Sequence, residues 1–290
     1  MKISVWPKLC IAGLLGAGVG PLANAGLFTD NFEMLTVAET SKDAPQNLTS
    51  PTTYCAIDGG YIEAGDSIAG DSAPTPDQVR QELVDALRSQ GFQPDTASPN
   101  LLLTYYWGVI RRDREEIRRP YGVKYNEDAR IRLVSTEALG EEVENHILGR
   151  QKSGGMDMDV SSPRLLVGPT ATVVQMARQP RIFIIVSAFD YQGLTQRHEE
   201  MPVWRVKLSA QETAGDMDEV IPALLEKGAA YFGKNLIQPK IVENTLSKSG
   251  AASTPASAVQ PAAGASIDNN LVQSILQRER VEFSGANPKG

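Results

Sequence analysis

Three segments of the chain have the composition of β-strands, and they limit the folds that it can adopt. Residues 101–110 (LLLTYYWGVI) are apolar on both alternating faces, which predicts a strand covered on both sides, or covered on one side and lined with aromatic rings on the other. Residues 181–191 (RIFIIVSAFDY) are β-branched and aromatic. Residues 201–210 (MPVWRVKLSA) alternate, and the polar loop before them predicts a hairpin with the preceding strand.

Two segments have the spacing of amphipathic helices. Thr75 can cap the first helix, Gln78 completes a capping box, and Gly91 suits the position just past the last turn. The second helix is predicted from about residue 216 to residue 232. The apolar residues that define the two stripes are Val79, Leu83 and Leu87, and then Ile221, Leu225, Gly228, Ala229 and Phe232.

The N-terminal part before the first helix has weaker patterns. Residues 26–50 are polar and irregular, which predicts a loosely ordered N-terminal arm. Residues 52–64 are β-prone on both sides of Asp58-Gly59-Gly60. An Asp-Gly pair between two such runs indicates a hairpin turn, and a single bulged strand explains the same pattern nearly as well.

These patterns predict an α+β fold over residues 51–245, with a mainly antiparallel sheet and the two amphipathic helices packed on one face. Residues 111–179 are interpreted as a partly helical insertion. Residues 246–266 are rich in Ala, Ser, Pro and Gly, which is typical of a flexible linker. Residues 267–290 regain an apolar pattern that predicts a short C-terminal helix and tail, which either docks on a partner or folds back on the domain.

The first 25 residues have the order of a secretory signal peptide. Lys2 and Lys8 precede an apolar run, and Ala23-Asn24-Ala25 predicts cleavage after Ala25. The apolar run is too short for a membrane span, which needs about 20 residues. Cys10 has no apolar segment before it, so the chain is not a clear lipoprotein. The expected location is the periplasm or another exported compartment, with no transmembrane segment after signal removal.

The charge and the cysteine content of the chain limit the kinds of partner that it is expected to bind. The chain has 28 basic and 35 acidic residues, and a negative surface repels nucleic acid, so no nucleic-acid partner is predicted. The mature chain keeps a single cysteine, Cys55. That residue is expected to be a half-buried strand residue, or else to form an intermolecular disulfide in an oxidising compartment.

The sequence predicts no catalytic residue, no metal site and no cofactor. The histidines, His146 and His198, are isolated and do not have the spacing of zinc ligands. Two groups of residues, one rich in Trp, Tyr and Arg and one on the predicted C-terminal helix, instead form a candidate interaction surface. Trp, Tyr and Arg are the residues that dominate binding hot spots. The alternative is that the aromatic residues fill the core of the sheet. The candidate residues are Tyr105, Trp107, Arg111, Arg112 and Tyr121, with Leu271 and Ile275 on the C-terminal helix.

The order of these elements resembles a known family. In that family, a helix that ends in Leu-x-x-x-Gly precedes an Asp-Leu-type strand, and a later hairpin carries Val-Trp-Arg. The matching residues here are Leu87, Gly91, Asn100, Leu101, Val203, Trp204 and Arg205. Over residues 50–110 and 180–240 the chain resembles a domain of unknown function that is widespread in bacterial envelope lipoproteins, although it lacks their lipid-attachment cysteine. The resemblance implies an envelope location and an α+β fold.

The expected function is therefore that of an exported, non-enzymatic cell-envelope protein, either an assembly or maintenance accessory or a binding module. Its expected partner is another envelope protein, bound through the C-terminal helix. The alternative is an enzyme or a small-ligand-binding protein whose site lies within residues 111–179.

Overall fold

A computed structural model describes residues 31–44, 52–68, 73–112, 125–143, 168–246 and 268–284. The strands are β1 (Asn31–Thr40), β2 (Thr53–Ala64), β3 (Gln93–Pro94), β4 (Leu101–Ile110), β5 (Arg181–Asp190), β6 (Pro202–Gln211) and β7 (Lys240–Thr245). The helices are α1 (Pro76–Ser89), α2 (Tyr125–Val134), α3 (Pro169–Ala177), α4 (Met217–Gly228) and α5 (Asn269–Phe283), and residues 137–143 are also helical.

The seven strands form one mixed sheet in the order β3-β2-β4-β5-β6-β1-β7. β2 runs parallel to β3 and β4, and the other pairings are antiparallel. The predicted β5–β6 hairpin is confirmed, whereas a mainly antiparallel sheet is not. Helix α1 connects β2 to β3 and β4 and returns the chain to the end of the sheet at which β2 began. These strands therefore run parallel to β2.

Strand β1 corrects the prediction of a loosely ordered N-terminal arm. Residues 31–40 pair with β6 on one side and with β7 on the other, and Met34 and Val37 are fully buried. Polar residues at both ends of this short apolar run, Glu33 and Glu39 among them, concealed the strand in the sequence. The part of the arm before residue 31, the signal peptide included, lies outside the described residues.

Strand β2 is continuous through Asp58 and Gly60, so the bulged-strand interpretation is confirmed and the hairpin turn is wrong. The pairing with β4 shifts between these two residues, and the Asp58 carboxylate accepts a hydrogen bond from the Gly60 amide at 2.7 Å. A side chain at Gly59 would overlap the ring of Tyr106. The glycines therefore permit the bulge and the close approach of that ring.

The two faces of the sheet carry different cores. Helices α1 and α4 share the first core cluster with alternate residues of β4, β5 and β6, for example Leu83, Leu224 and Val206. The capping box predicted for α1 is present, since Thr75 and Gln78 exchange hydrogen bonds. This capped helix begins at Pro76, as its sequence predicts.

The opposite face of the sheet is covered by helices from the block predicted as an insertion and by the C-terminal helix. Ile131 of α2, Val173 of α3 and Phe283 of α5 pack with Phe183 and Ile185 in the second core cluster. Residues 125–134 and 169–177 are thus part of the core rather than an appendage. Among the described residues, no helix is long and apolar enough to cross a membrane.

Candidate functional site

A buried polar cluster lies between β6 and helix α5. The Arg205 guanidinium donates a hydrogen bond to Glu279 at 2.8 Å and approaches Glu282 at 3.3 Å. Thr104 donates its hydroxyl to the other oxygen of Glu279 at 2.7 Å. The remaining donor of Arg205, Nε, binds the hydroxyl of Ser187 at 3.1 Å. The C-terminal helix is therefore held to the sheet by a hydrogen-bonded ion pair.

The alternation of β6 explains why these charges meet there. Val206 and Leu208 belong to the first core cluster on one side of the sheet. Arg205 and Lys207 alternate with them in sequence, so their side chains project to the other side. Helix α5 supplies one opposite charge, Glu279, from its buried stripe, which consists of Val272, Ile275, Glu279 and Phe283, and a second, Glu282, from beside that stripe.

Charge and burial act against each other in the pKa values of the two cations. Burial lowers the pKa of Arg205, but Glu282 and Glu279 outweigh it, and the pKa is raised above its usual range. Burial also lowers the pKa of Lys207, and Glu39 opposes this effect without cancelling it. Glu282 and Glu279 of helix α5 thus stabilise the charged form of Arg205 more than Glu39 stabilises the charged form of Lys207.

Lys207 links the sheet to the helical block. Its ammonium donates to the carbonyls of Arg132 and Ser135 at 2.8 and 2.6 Å, near the C-terminal end of α2, where the helix dipole favours a cation. Glu39 lies 3.5 Å from the same ammonium and accepts a hydrogen bond from the Glu137 amide at 2.7 Å. Lys207 and Glu39 therefore each bind backbone groups of the helical block in addition to each other.

Apolar contacts continue the site toward the start of α5. Val272 and Ile275 pack against Cys55, Leu102 and Phe189 in the third core cluster. The thiol of Cys55 is fully buried, and burial raises its pKa from its ordinary 9.0 to about 12. We call this part of the sheet, defined by Cys55, Leu102, Thr104, Ser187 and Arg205, the helix groove.

The buried position of Cys55 does not fit the predicted intermolecular disulfide. A disulfide needs two thiols in direct contact, and this thiol is fully buried in the third core cluster, to which Val272 and Ile275 of α5 contribute. Cys55 is free in the structure. A bond to another chain therefore requires part of this cluster, such as helix α5, to move away first.

Polar contacts at the rim complete the docking of α5. The Tyr106 hydroxyl donates to the Leu276 carbonyl at 2.8 Å, and Arg278 binds Glu200 at 2.7 Å. Arg280 reaches the carbonyls of Gly59 and Tyr61 at 3.3 and 3.4 Å. Burial and then Glu279 raise the pKa of Tyr106 well above its usual range, so it remains a donor.

The structure does not assemble the predicted interaction surface. Tyr105 and Trp107 are buried in the first core cluster, with ring centroids 6.0 Å apart, so the alternative interpretation as core is correct for them. Arg111 is buried and binds Glu63 and Glu212. These residues are covered because β4 is central in the sheet and has helices on both faces.

The other residues of the predicted interaction surface differ in their exposure to solvent. Arg112 is exposed, and Leu271 is half-buried. Ile275 is fully buried in the helix groove, because α5 folds back on its own domain. Tyr121 lies in the range 113–124, which is not described.

Arg205 and Glu279 were not predicted as site residues. The sequence contains a signal for each of them: Arg205 is a charged residue in a strand whose burial the alternating apolar residues predict, and Glu279 follows Ile275 by four residues on the apolar stripe of its helix. A charge at a core position predicts a buried partner. The partner itself, 74 positions away, has no local signature.

Within the described ranges, no group of three or more metal-ligating side chains is present. His198 is exposed, and His146 falls in the range 144–150, outside them.

An open depression of about 480 Å³ is lined by Ser41, Asp43, Glu199, Glu200, Met201 and Pro202. It is shallow and acidic, and one of its carboxylates, that of Glu200, already binds Arg278. Most of the alternative ligand site in block 111–179 lies in ranges that are not described.

No family model matches the chain, and no curated protein sequence matches it. Among solved structures, a PelC dodecamer from Paraburkholderia phytofirmans has 9% identity and a TM-score of 0.27, over 69% of this chain and 99% of that chain. A variant of that dodecamer has a TM-score of 0.29. A PDZ domain protein from Parabacteroides distasonis has 10% identity and a TM-score of 0.40, over 74% of this chain and 39% of that one. These likenesses are too distant to bear on function.

Proposed function

We propose that this chain is an exported, non-enzymatic protein of the bacterial cell envelope, an assembly or maintenance accessory or a binding module. The observation that carries the proposal is the helix groove, in which Arg205 faces Glu279 and Glu282 on a docked helix. This buried polar site thus binds a helix. Its charges are all used in holding that helix, as in a protein–protein contact.

The N-terminal pattern supports the location. A charged start, an apolar run and Ala23-Asn24-Ala25 are the elements that a signal peptidase recognises. The mature protein then begins at Gly26 and works in the periplasm or another exported compartment. Its partner is another envelope protein, and helix α5 is the element through which that partner is bound or released.

The proposal is tested by crosslinking in intact cells and by fractionation. We expect the chain in the envelope fraction with its N-terminus at Gly26, crosslinked to a specific envelope protein. Removal of residues 267–290 should abolish that crosslink. The matched control is Gln273→Ala, a change at an exposed position of the same helix, which should leave the crosslink intact.

Two results would contradict the proposal. One is a chain that stays in the cytoplasm with residues 1–25 attached. The other is the absence of any specific crosslink together with a bound small molecule or turnover of a substrate, which would favour the alternative site in residues 111–179.

A further inference from the structure

Helix α5 contacts the rest of the protein in the way that a ligand contacts a receptor. The first core cluster, which holds α1 and α4 to the sheet, contains no residue of α5. The apolar contacts of α5 lie in the two smaller core clusters, through Val272, Ile275 and Phe283, with Leu271 and Leu276 packed against them. Its polar contacts are charged or directed at backbone carbonyls, as in interfaces that form between separately folded parts.

All the groups that the helix groove recognises lie within the helix itself. Glu279 and Glu282 meet Arg205, the Leu276 carbonyl meets Tyr106, and Arg278 meets Glu200. The Asp268 side chain caps the helix by accepting from the Asn270 amide at 2.9 Å. A helix with this sequence therefore carries the complete recognition surface, whichever chain it belongs to.

The length of chain before the helix does not restrict it to its own groove. Residues 247–267 separate the described end of the β7 segment from Asp268. Fully extended, that stretch spans about 70 Å, whereas a domain of this size has a radius of gyration of about 17 Å. Two copies placed side by side lie within that reach.

We propose that the helix groove is a self-recognition site and that helix α5 of a second copy binds there, so that copies exchange their C-terminal helices. The proposal rests on the binding role inferred above and names a partner for it. Docking within one chain prevails in dilute solution, because a short tether gives an effective concentration in the millimolar range. Exchange prevails where copies are concentrated or where docking within the chain is blocked.

The test reverses the charges of one contact in two full-length chains. Arg205→Glu places a negative groove against its own Glu279, and Glu279→Arg places a positive helix against its own Arg205. Each chain alone should remain a monomer with an undocked helix, and maleimide labelling of Cys55, read by mass spectrometry of its peptide, should accelerate by about a hundredfold. In an equimolar mixture, each helix finds a groove of opposite charge on the other chain.

We expect the mixture to form a 1:1 complex in sedimentation velocity, with Cys55 protected again. A mixture of Arg205→Glu with Glu226→Arg, which adds an arginine at an exposed position of α4, should form none. Absence of a complex, together with restored protection of Cys55 when both reversals are made in the same chain, would overturn the proposal. That result would establish docking within one chain only, and it would leave the crosslinking test of the proposed function unaffected.

A second measurement applies if circular dichroism shows that a variant does not fold. A fluorescent peptide of residues 268–284 is then titrated into the Ile275→Ala chain, because this truncation weakens the docking of the chain's own helix and leaves the residues of the helix groove unchanged. Saturable binding that the unlabelled peptide competes, and that the Glu279→Arg peptide does not, supports self-recognition. Absence of binding, or equal binding of the Glu279→Arg peptide, overturns it, the latter because a groove that accepts any amphipathic helix does not select its own.

Discussion

Arg205 on β6 and Glu279 on α5 form a contact of 2.8 Å in which the carboxylate side chain is 1% exposed and the guanidinium side chain is 27% exposed. The contact joins the last described helix of the chain to a central strand of the sheet. A buried carboxylate is stable only when its charge is paired and its oxygens are hydrogen-bonded, and Arg205 and Thr104 supply both.

Replacement of Glu279 by Gln should destabilise the protein, because among the described residues Arg205 then keeps one ion-pair partner, Glu282, at 3.3 Å. We expect a loss of about 2–3 kcal/mol, below the usual cost of breaking a fully buried pair because Arg205 is partly exposed. Urea unfolding measures it. Glu226→Gln, at an exposed site of α4, should change the stability by less than about 0.5 kcal/mol, and equal effects of the two changes would refute the role of the pair.

Truncation of Ile275 to Ala should loosen α5 before the sheet unfolds. Ile275 is fully buried against Cys55 and Leu102, and such truncations cost about 2–5 kcal/mol. Maleimide labelling of Cys55 should therefore accelerate, while circular dichroism of the sheet is unchanged. Gln273→Ala on the exposed side of the same helix should label at the wild-type rate, and parallel loss of the sheet signal would contradict local undocking.

Stability should fall as the pH rises above about 9. Burial raises the pKa of Cys55 from 9.0 to about 12 and also raises the pKa values of Tyr54 and Tyr105. A folded state with raised pKa values binds more protons than the unfolded chain in this window, so the free energy of unfolding decreases with pH. The lowered pKa of Lys207 acts in the opposite direction and offsets part of this slope.

The contribution of the thiol can be separated from that of the tyrosines. Cys55→Ala should lower stability at neutral pH through the lost packing and make the decline between pH 9 and pH 12 shallower by about 1.4 kcal/mol per pH unit. Denaturant titrations at several pH values measure both quantities. An unchanged slope in this variant would show that the thiol does not titrate differently on unfolding.

Two glycines should respond differently to Ala because their surroundings differ. A Cβ at Gly108 would overlap the backbone carbonyl of Ile62 on the neighbouring strand, whereas a Cβ at Gly91, with φ +83°, meets no atom within 4 Å. We expect Gly108→Ala to cost about 3 kcal/mol or more through the clash, in addition to the strain of its φ of +154°, and Gly91→Ala about 1–2 kcal/mol through backbone strain alone. Thermal unfolding of both variants gives the comparison, and equal losses would exclude the clash as the cause.

Local chemistry made several elements predictable. The capping box at Thr75 and the apolar residues every four positions define α1, and the alternation of β6 places Arg205 and Lys207 on one face. The cap at Asp268 and the return of an apolar pattern likewise indicated α5. Each of these features depends on residues within two or three turns of one another, so a single sequence contains the information.

The neighbours of each element were decided by tertiary structure. β1 lies between β6 and β7, strands that are more than 160 residues later in the chain, and nothing near residue 31 indicates this pairing. The predicted surface of Tyr105, Trp107 and Ile275 is buried for the same reason: coverage depends on which helices return to the sheet.

What the sequence determined by itself was therefore the periodic elements, their capped ends and the pattern of an exported chain. Only the tertiary structure decided that Glu279 meets Arg205, that α5 closes over Cys55 and that the sheet is mixed. Periodicity and capping arise from interactions between neighbouring residues, whereas these contacts depend on closing long loops and on the joint packing of all elements.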